Sequence, residues 1–217
     1  MSASAPPPAR RQHHRGDGPR RRRLPRQVGT TAAGPARLLY RQLRRQEIAL
    51  IRPELVRRIV LASSAPQGAA GMHGWAPEVI GAVGAPETSP EGYLEVFFAA
   101  TDTSREAGRQ AAARIFGRPS NRDEPTTWQT RQAQYDAVCA WGIPNHALLQ
   151  RVAGIDLPVF VANGDSDPMI LPRYSYLLAG LLPNARLTIY SDSAHGFLFQ
   201  HHSQFAIDVN AFLDETT

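Results

Sequence analysis

PVFVANGDSDPMILPRYSYLLAGLLPNARLTIYSDSAHGF, residues 158–197, is the stretch that decides the fold. Two short apolar runs belong to this region, LPVFVA at 157–162 and ARLTIY at 185–190. Residues 173–182 between them have a helical pattern. A strand, a helix and a second strand in succession predict parallel strands joined by a crossover helix. The sequence therefore predicts an α/β fold.

The pattern extends outward on both sides of this stretch. Upstream, residues 46–52 form the end of a helix before Pro53, and VRRIVLA at 56–62 predicts another strand. Residues 76–150 carry mostly helical patterns and are too long for an ordinary crossover. We interpret them as a helical cap insert, and residues 203–213 as a closing helix.

Polar residues follow the last two predicted strands at the point where each strand ends. Asp165 and Asp167 come after one strand, and His195 comes after the next. In open parallel sheets, ligands bind at the carboxyl ends of the strands. A histidine there can take a proton while a carboxylate fixes its tautomer and stabilises the imidazolium. Taken singly, an aspartate before Pro168 is typical of a turn or cap and a loop histidine needs no function, but the ordered pair favours chemistry.

These segments, together with PELVRRIVLASSAP at 53–66, resemble the α/β-hydrolase superfamily over about residues 46–217. Within it they are similar to the esterase, lactonase and cofactor-free haloperoxidase-like branch. The family acid lies in a G-x-x-D turn, which corresponds here to Gly164 to Asp167. The family base lies in an A-H-G turn, which corresponds here to Ala194-His195-Gly196.

The resemblance implies a partial α/β-hydrolase sheet, made of its last strands, with a helical cap insert. It implies Asp167 as the acid and His195 as the base, with Asp165 ranked lower because the spacing from Gly164 selects Asp167. It further implies a hydrolase acting on an ester or similar small carbonyl substrate, with no cofactor and no metal. The alternative is a non-catalytic binding protein on a truncated hydrolase fold.

The family nucleophile is missing from this sequence. It sits in G-x-S-x-G on a strand-to-helix turn, and no such motif occurs in the chain. The expected position, about two helical turns before residue 46, reads RLLYRQL at 37–43. Ser63 and Ser64 are weaker candidates without an elbow and its oxyanion amides, and loop serines commonly cap backbone groups. The serines beside the histidine are interpreted as turn residues: Ser191 and Ser193.

Basic residues are concentrated at the start of the chain. Residues 1–45 hold 12 arginines and one acid, whereas residues 46–217 hold 12 arginines and 18 acids. The arginine run at 20–23 allows a nucleic-acid-binding arm, which remains a weak alternative because no aromatic residue precedes Tyr40 to stack on bases. An Arg-rich targeting peptide and a solvated, disordered tail are two other interpretations.

We favour a further interpretation, that residues 1–45 are an out-of-frame product. Lysine is absent while arginine occurs 24 times, which indicates a GC-rich gene. Codons 37–43 can be read in another frame by joining the last two bases of each codon to the first base of the next. With GC-rich codons, that frame permits Gly-Phe-Ser-Ile-Gly-Ser, which contains the G-x-S-x-G motif. The frame would be restored just before Gln46, where the resemblance begins.

The remaining candidate residues predict no additional chemistry. The single cysteine, Cys139, excludes an internal disulfide and favours a cytoplasmic location, and no apolar run is long enough to span a membrane. His201 and His202 are adjacent on a helix and point apart, so with His195 they do not predict a metal site. Six aromatic residues form the core of the insert or line an apolar pocket beneath it: Trp75, Phe97, Phe98, Trp128, Tyr135 and Trp141.

Overall fold

The computed structural model describes residues 35–72, 74–83, 90–117, 120 and 127–215. Its helices and strands, in chain order, are α1 (Pro35–Ile51), β1 (Ile59–Ala62), α2 (Pro77–Val83), α3 (Pro90–Phe97), α4 (Asp102–Phe116), α5 (Trp128–Trp141), α6 (His146–Arg151), β2 (Val159–Gly164), α7 (Pro172–Leu181), β3 (Ala185–Tyr190), α8 (Phe197–Gln200) and α9 (His202–Asp214). Short 3-10 helices precede β1 and β2, at Pro53–Leu55 and Val152–Gly154.

Within the described residues, three strands form a parallel sheet in the order β1-β2-β3. Val159 of β2 is paired with Ile59 of β1 on one side and with Ala185 of β3 on the other. Every residue of β2 is buried, as expected for a central parallel strand with both faces covered. The predicted α/β class, with a sheet built from these three segments, is confirmed.

The strand bounds differ from the predicted ones for two physical reasons. β1 begins at Ile59 rather than at residue 56, because the Val56 amide donates to the Pro53 carbonyl and closes the preceding 3-10 turn. β2 continues beyond Ala162, since Asn163 and Gly164 pair with residues of β3. Both residue types are depleted in strands, so pairing with a neighbour overrides their local preference.

Helix α1 crosses the boundary that the sequence placed between residues 45 and 46. It begins at Pro35, a residue type favoured in the first turn of a helix, and continues without a break to Ile51. Its Leu43 packs with the insert, whereas its Ala49 packs against the sheet. Residues 1–34, with the arginine run at 20–23, lie outside the described residues.

The insert, α2–α6, lies between β1 and β2 in the chain and packs over the loops that follow both strands. One buried cluster joins Phe97, Phe98 and Trp141 of the insert to Met72 and Ile170 from those loops. The Trp141 indole also donates to the Ala65 carbonyl at 3.0 Å. Of the other aromatic residues singled out from the sequence, Trp75 in the loop before α2 packs against Tyr135, and Trp128 is half exposed.

The end of β2 passes very close to the loop that follows β3. A Cβ atom on Gly164 would lie far inside van der Waals contact of the Ser193 and Ala194 carbonyl oxygens. The Ser166 amide donates to the same Ser193 carbonyl at 3.0 Å. Glycine at position 164 therefore allows the two loops to meet.

One edge of β1 has no partner strand among the described residues. The amides of Ile59 and Ser63 donate to the β2 side, to Pro158 and Ala162, so the backbone groups of Val60 point toward the open edge. The Val60 carbonyl accepts a hydrogen bond there from the Arg45 guanidinium at 3.1 Å. A groove of about 370 Å³ lies at this edge, lined by Arg45, Ile48, Val56, Arg58, Ile59 and Val60.

Replacing Gly164 with alanine is expected to lower the free energy of unfolding by about 1–3 kcal/mol, the usual range for forcing an extra methyl group into a packed interior. The matched control is Gly180→Ala, because a Cβ atom there meets nothing within 4 Å. That change is expected to raise the free energy of unfolding by about 0.4–1 kcal/mol, because alanine lowers the conformational entropy of the unfolded chain. Urea unfolding followed by circular dichroism measures both, and equal effects of the two changes would contradict the close approach.

The open edge of β1 predicts that the purified chain self-associates, because unpaired strand edges beside apolar side chains recruit other chains. Ile48 lines the groove and is 48% exposed, so Ile48→Glu is expected to reduce the associated fraction. Ile207→Glu, on α9 at a site 61% exposed, is the matched control and is expected to leave association unchanged. Light scattering after size-exclusion chromatography measures the mass, and a monomeric parent chain would contradict the prediction.

Candidate active site

Asp167 lies in the aspartate turn, residues 165–168, directly after β2. Its side chain is buried, and its Oδ1 accepts hydrogen bonds from the backbone amides of Met169 and Ile170, both at 2.9 Å. The residue therefore caps the turn that carries it, as an aspartate before a proline commonly does. Because Oδ1 is occupied in this way, the orientation of Oδ2 is fixed.

His195 lies in the histidine loop, residues 191–196, directly after β3. Its Nδ1 is 2.8 Å from Asp167 Oδ2, and both side chains are fully buried. The expected approach of these two side chains at the carboxyl edge of the sheet is therefore present. An ionised carboxylate can only accept, so with Asp167 ionised the Nδ1 atom carries a proton, and a neutral imidazole then has its lone pair on Nε2.

The Nε2 atom of His195 is buried and has no hydrogen-bond partner among the described residues. A buried polar atom without a partner costs about 1–3 kcal/mol, so such an atom in a native structure requires an explanation. In a hydroxyl-histidine-carboxylate arrangement, this nitrogen takes the proton of the attacking hydroxyl. Its position and tautomer suit a general base.

The end of α3 holds the histidine loop from the side of the insert. The Gly196 amide donates to the Phe97 carbonyl at 2.7 Å, and the His195 amide donates to the Val96 carbonyl at 3.4 Å. The Phe97 ring meets the imidazole edge to face, with centroids 5.2 Å apart. A Cβ atom on Gly196 would be 2.6 Å from the Phe97 carbonyl, which accounts for glycine after the histidine.

The structure places Asp165 differently from Asp167. Its carboxylate accepts hydrogen bonds from the amides of Asp192 and Ser193, at 2.9 and 3.2 Å, and from the Ser166 hydroxyl at 2.8 Å. Partial burial acts to raise the pKa of Asp165, but these hydrogen bonds outweigh it and hold the pKa below its usual value. Of the two aspartates, Asp167 is the one whose carboxylate meets the imidazole.

The candidate serines after β1 have structural hydrogen bonds. The Ser63 hydroxyl donates to Asn163 Oδ1 at 2.9 Å, and the Ser64 hydroxyl accepts from Gln46 Nε2 at 3.1 Å. Ser63 also has a φ of +48°, a left-handed conformation that is strained for a residue with a side chain. Their partners are the side chains of β2 and α1 rather than His195.

The remaining polar candidates also have other partners. The Ser193 hydroxyl donates to the Tyr190 carbonyl at 2.9 Å, and the Ser191 carbonyl lies 3.0 Å from His201 Nε2. His202 Nδ1 lies 3.2 Å from the Phe199 carbonyl. Among the described residues, no group of three His, Cys, Asp or Glu side chains could hold a metal ion. In the same part of the chain, no helix is long and apolar enough to cross a membrane.

Tyr93 was not among the candidates from sequence. Its ring stacks on Phe97 with centroids 4.3 Å apart, and Phe97 in turn contacts His195. The Tyr93 hydroxyl is buried without a partner in the described ranges, and burial raises its pKa. Tyr93 and Phe97 are four residues apart, about one helical turn, so the sequence could have predicted that both rings lie on the same face of α3.

Comparison with known proteins identifies the family. The sequence profile of the alpha/beta hydrolase fold matches residues 46–202. An alpha/beta hydrolase fold protein from Chitinophaga pinensis is 31% identical with a TM-score of 0.73, over 81% of this chain and 62% of that chain. The putative non-heme bromoperoxidase BpoC from Mycobacterium tuberculosis H37Rv is 20% identical with a TM-score of 0.59, over 79% of this chain and 63% of its own.

An enol-lactonase from Burkholderia xenovorans LB400 is also 20% identical, with a TM-score of 0.58 over 80% of this chain and 62% of that chain. At this identity, the bromoperoxidase and the lactonase support the fold alone. This chain spans a little under two thirds of the length of each of the three structures. The profile match covers most of the chain and starts at residue 46, where the resemblance was placed from sequence. The chain belongs to the α/β-hydrolase fold family.

Proposed function

We propose that this chain belongs to a hydrolase of esters or similar small carbonyl substrates, with His195 as the general base and Asp167 as the residue that orients it. The observation that carries the proposal is the buried 2.8 Å contact between His195 Nδ1 and Asp167 Oδ2, with Nε2 buried and unpartnered among the described residues. A histidine in this state accepts a proton from a hydroxyl, and the carboxylate stabilises the resulting imidazolium.

In the proposed reaction, a serine hydroxyl attacks the carbonyl carbon of the substrate while its proton moves to Nε2. The tetrahedral intermediate then collapses, and the imidazolium gives that proton to the leaving alcohol, which departs. The acyl-enzyme is hydrolysed by the same sequence with water in place of the serine. The hydrogen bonds to Asp167 Oδ1 hold the carboxylate still throughout, so the imidazole keeps its tautomer and orientation.

We further propose that the serine of this reaction is missing from the chain. The hydroxyls of Ser63, Ser64 and Ser193 have other partners, and G-x-S-x-G is absent from the sequence. Residues 35–51 are helical throughout, so this segment contains no sharp strand-to-helix turn. The out-of-frame origin of residues 1–45 remains our hypothesis for this loss, and it is supported by the family match starting at residue 46.

The surroundings of the base favour a substrate with an apolar part. Phe97 lies against the imidazole, and it belongs to a buried cluster that includes Phe98, Trp141 and Met169. Apolar walls with a few placed polar groups are typical of small-molecule sites.

A second candidate function is non-catalytic binding of a small molecule on the same fold. The observation that favours it is that no described hydroxyl is hydrogen-bonded to His195 Nε2. The two candidates share a fold and differ in whether a nucleophile is positioned, so fold alone does not separate them. Turnover and covalent labelling do separate them.

The chain as it stands is expected to hydrolyse an activated aryl ester no faster than its His195→Ala variant. The base can only activate a hydroxyl held beside it, and members of such a triad act as a unit. His201→Ala is the matched control for loss of a histidine, because its Nε2 lies 3.0 Å from the Ser191 carbonyl and its ring stacks on Tyr190. Initial rates with each purified chain measure the difference.

Restoring the shifted frame, so that a serine returns near position 40 with the upstream sequence, is expected to restore turnover and labelling by a serine-directed phosphonate. In that restored chain, His195→Ala is expected to lower kcat by at least about 1,000-fold. Labelling of the unrestored chain at one residue would contradict the missing nucleophile, and Ser63→Ala and Ser64→Ala would then identify the site. A restored chain that binds substrate without turnover would favour the binding function.

A further inference from the structure

The aspartate turn and the histidine loop lie side by side and are joined by backbone hydrogen bonds. The Asp165 amide donates to the Tyr190 carbonyl, and the Ser166 amide donates to the Ser193 carbonyl, both at 3.0 Å. These two bonds follow directly on the pairing of Gly164 with Tyr190 at the end of the sheet. The relative position of the two loops is therefore set just beyond the strand ends.

The Asp165 carboxylate adds a second connection between the same loops. Its Oδ2 accepts from the Asp192 amide and its Oδ1 from the Ser193 amide, so the two oxygens hold two successive amides of the histidine loop. Asp192 has a φ of +52°, in the left-handed region, which aspartate tolerates and which hydrogen bonds to the neighbouring amides help to hold. The carboxylate supplies such a hold, because hydrogen bonds to a charged acceptor are the stronger kind.

We propose that Asp165 is a positioning residue that sets the contact between His195 and Asp167. The proposal rests on the function proposed above, since it concerns the same pair. Asp165 is two positions before Asp167, and Ser193 is two positions before His195, so the carboxylate fixes both members from equivalent distances along the chain. A shift of the histidine loop relative to the turn would change the Nδ1–Oδ2 distance directly.

The histidine loop is also held from its other side. The Thr101 hydroxyl, at the start of α4, donates to Asp192 Oδ1 at 2.6 Å, and Gln200 Nε2 donates to the Asp192 carbonyl at 2.7 Å. The Ser104 hydroxyl donates in turn to Gln200 Oε1 at 2.6 Å. Loss of the Asp165 carboxylate would therefore leave the loop attached to the insert and to α8. Its attachment to the turn that carries Asp167 would be reduced to the two backbone hydrogen bonds and the His195–Asp167 contact.

The test follows the Nδ1 proton of His195 by NMR in the full-length chain, with Asp165→Asn and Asp165→Ala compared. Both variants remove the negative charge, but asparagine keeps one acceptor oxygen and alanine keeps none. The difference between their exchange rates therefore reports the hydrogen bonds to the Asp192 and Ser193 amides rather than the charge. At about tenfold for each bond lost, exchange of this proton with water is expected to accelerate about 10-fold in the asparagine variant and about 100-fold in the alanine variant. Amide exchange of residues 191–196, followed by mass spectrometry, is expected to accelerate in the same order.

The control for general loss of stability is Thr127→Ala, which removes the hydroxyl that caps α5 through the Thr130 amide. It is expected to lower the melting temperature without accelerating exchange of the His195 proton. The proposal is overturned if alanine at 165 leaves that exchange unchanged, if Thr127→Ala accelerates it equally, or if the parent chain shows no protected Nδ1 proton. Failure of the frame-restored chain to turn over would overturn the proposed function without touching this result.

Discussion

The buried hydrogen bond between Asp167 and His195 is the constraint on which the rest of this structure depends. Two polar side chains without access to water must satisfy each other, and any loosening leaves both with an uncompensated desolvation cost. The loops that carry them must therefore approach closely and stay in register. Gly164 leaves room for that approach, and Gly196 lets the end of α3 close over the histidine loop.

Much of this arrangement could be predicted from sequence because its signals are local. The apolar runs of β2 and β3, the crossover helix between them, and an aspartate and a histidine at the two strand ends all lie within 40 consecutive residues. The first and last residues of the strands were predicted less accurately than the strands themselves. Asn163 is extended because it pairs with Ile189, and Arg58 falls outside β1 because the preceding 3-10 turn delays the strand.

The distinct positions of the two aspartates could not be derived from local chemistry. Asp165 and Asp167 have the same side chain in the same turn, and the preference for Asp167 came from family spacing. Their different roles depend on their partners in the loop after β3: the Asp165 carboxylate meets backbone amides, whereas the Asp167 carboxylate meets the imidazole. The contact of Phe97 with the imidazole could not be predicted either, because almost 100 residues of sequence separate the two rings. Long-range packing decides such contacts, and periodicity carries no information about them.

The Nε2 atom of His195, which has no partner among the described residues, makes the choice of residue at position 195 depend on position 167. A buried nitrogen without a partner lowers stability by an amount comparable to a typical destabilising mutation, about 1 kcal/mol or more. An apolar side chain at position 195 would remove that cost, but it would leave Oδ2 of Asp167 buried without the imidazole. The two positions are therefore coupled, and the free energy of unfolding is expected to change non-additively when both are replaced.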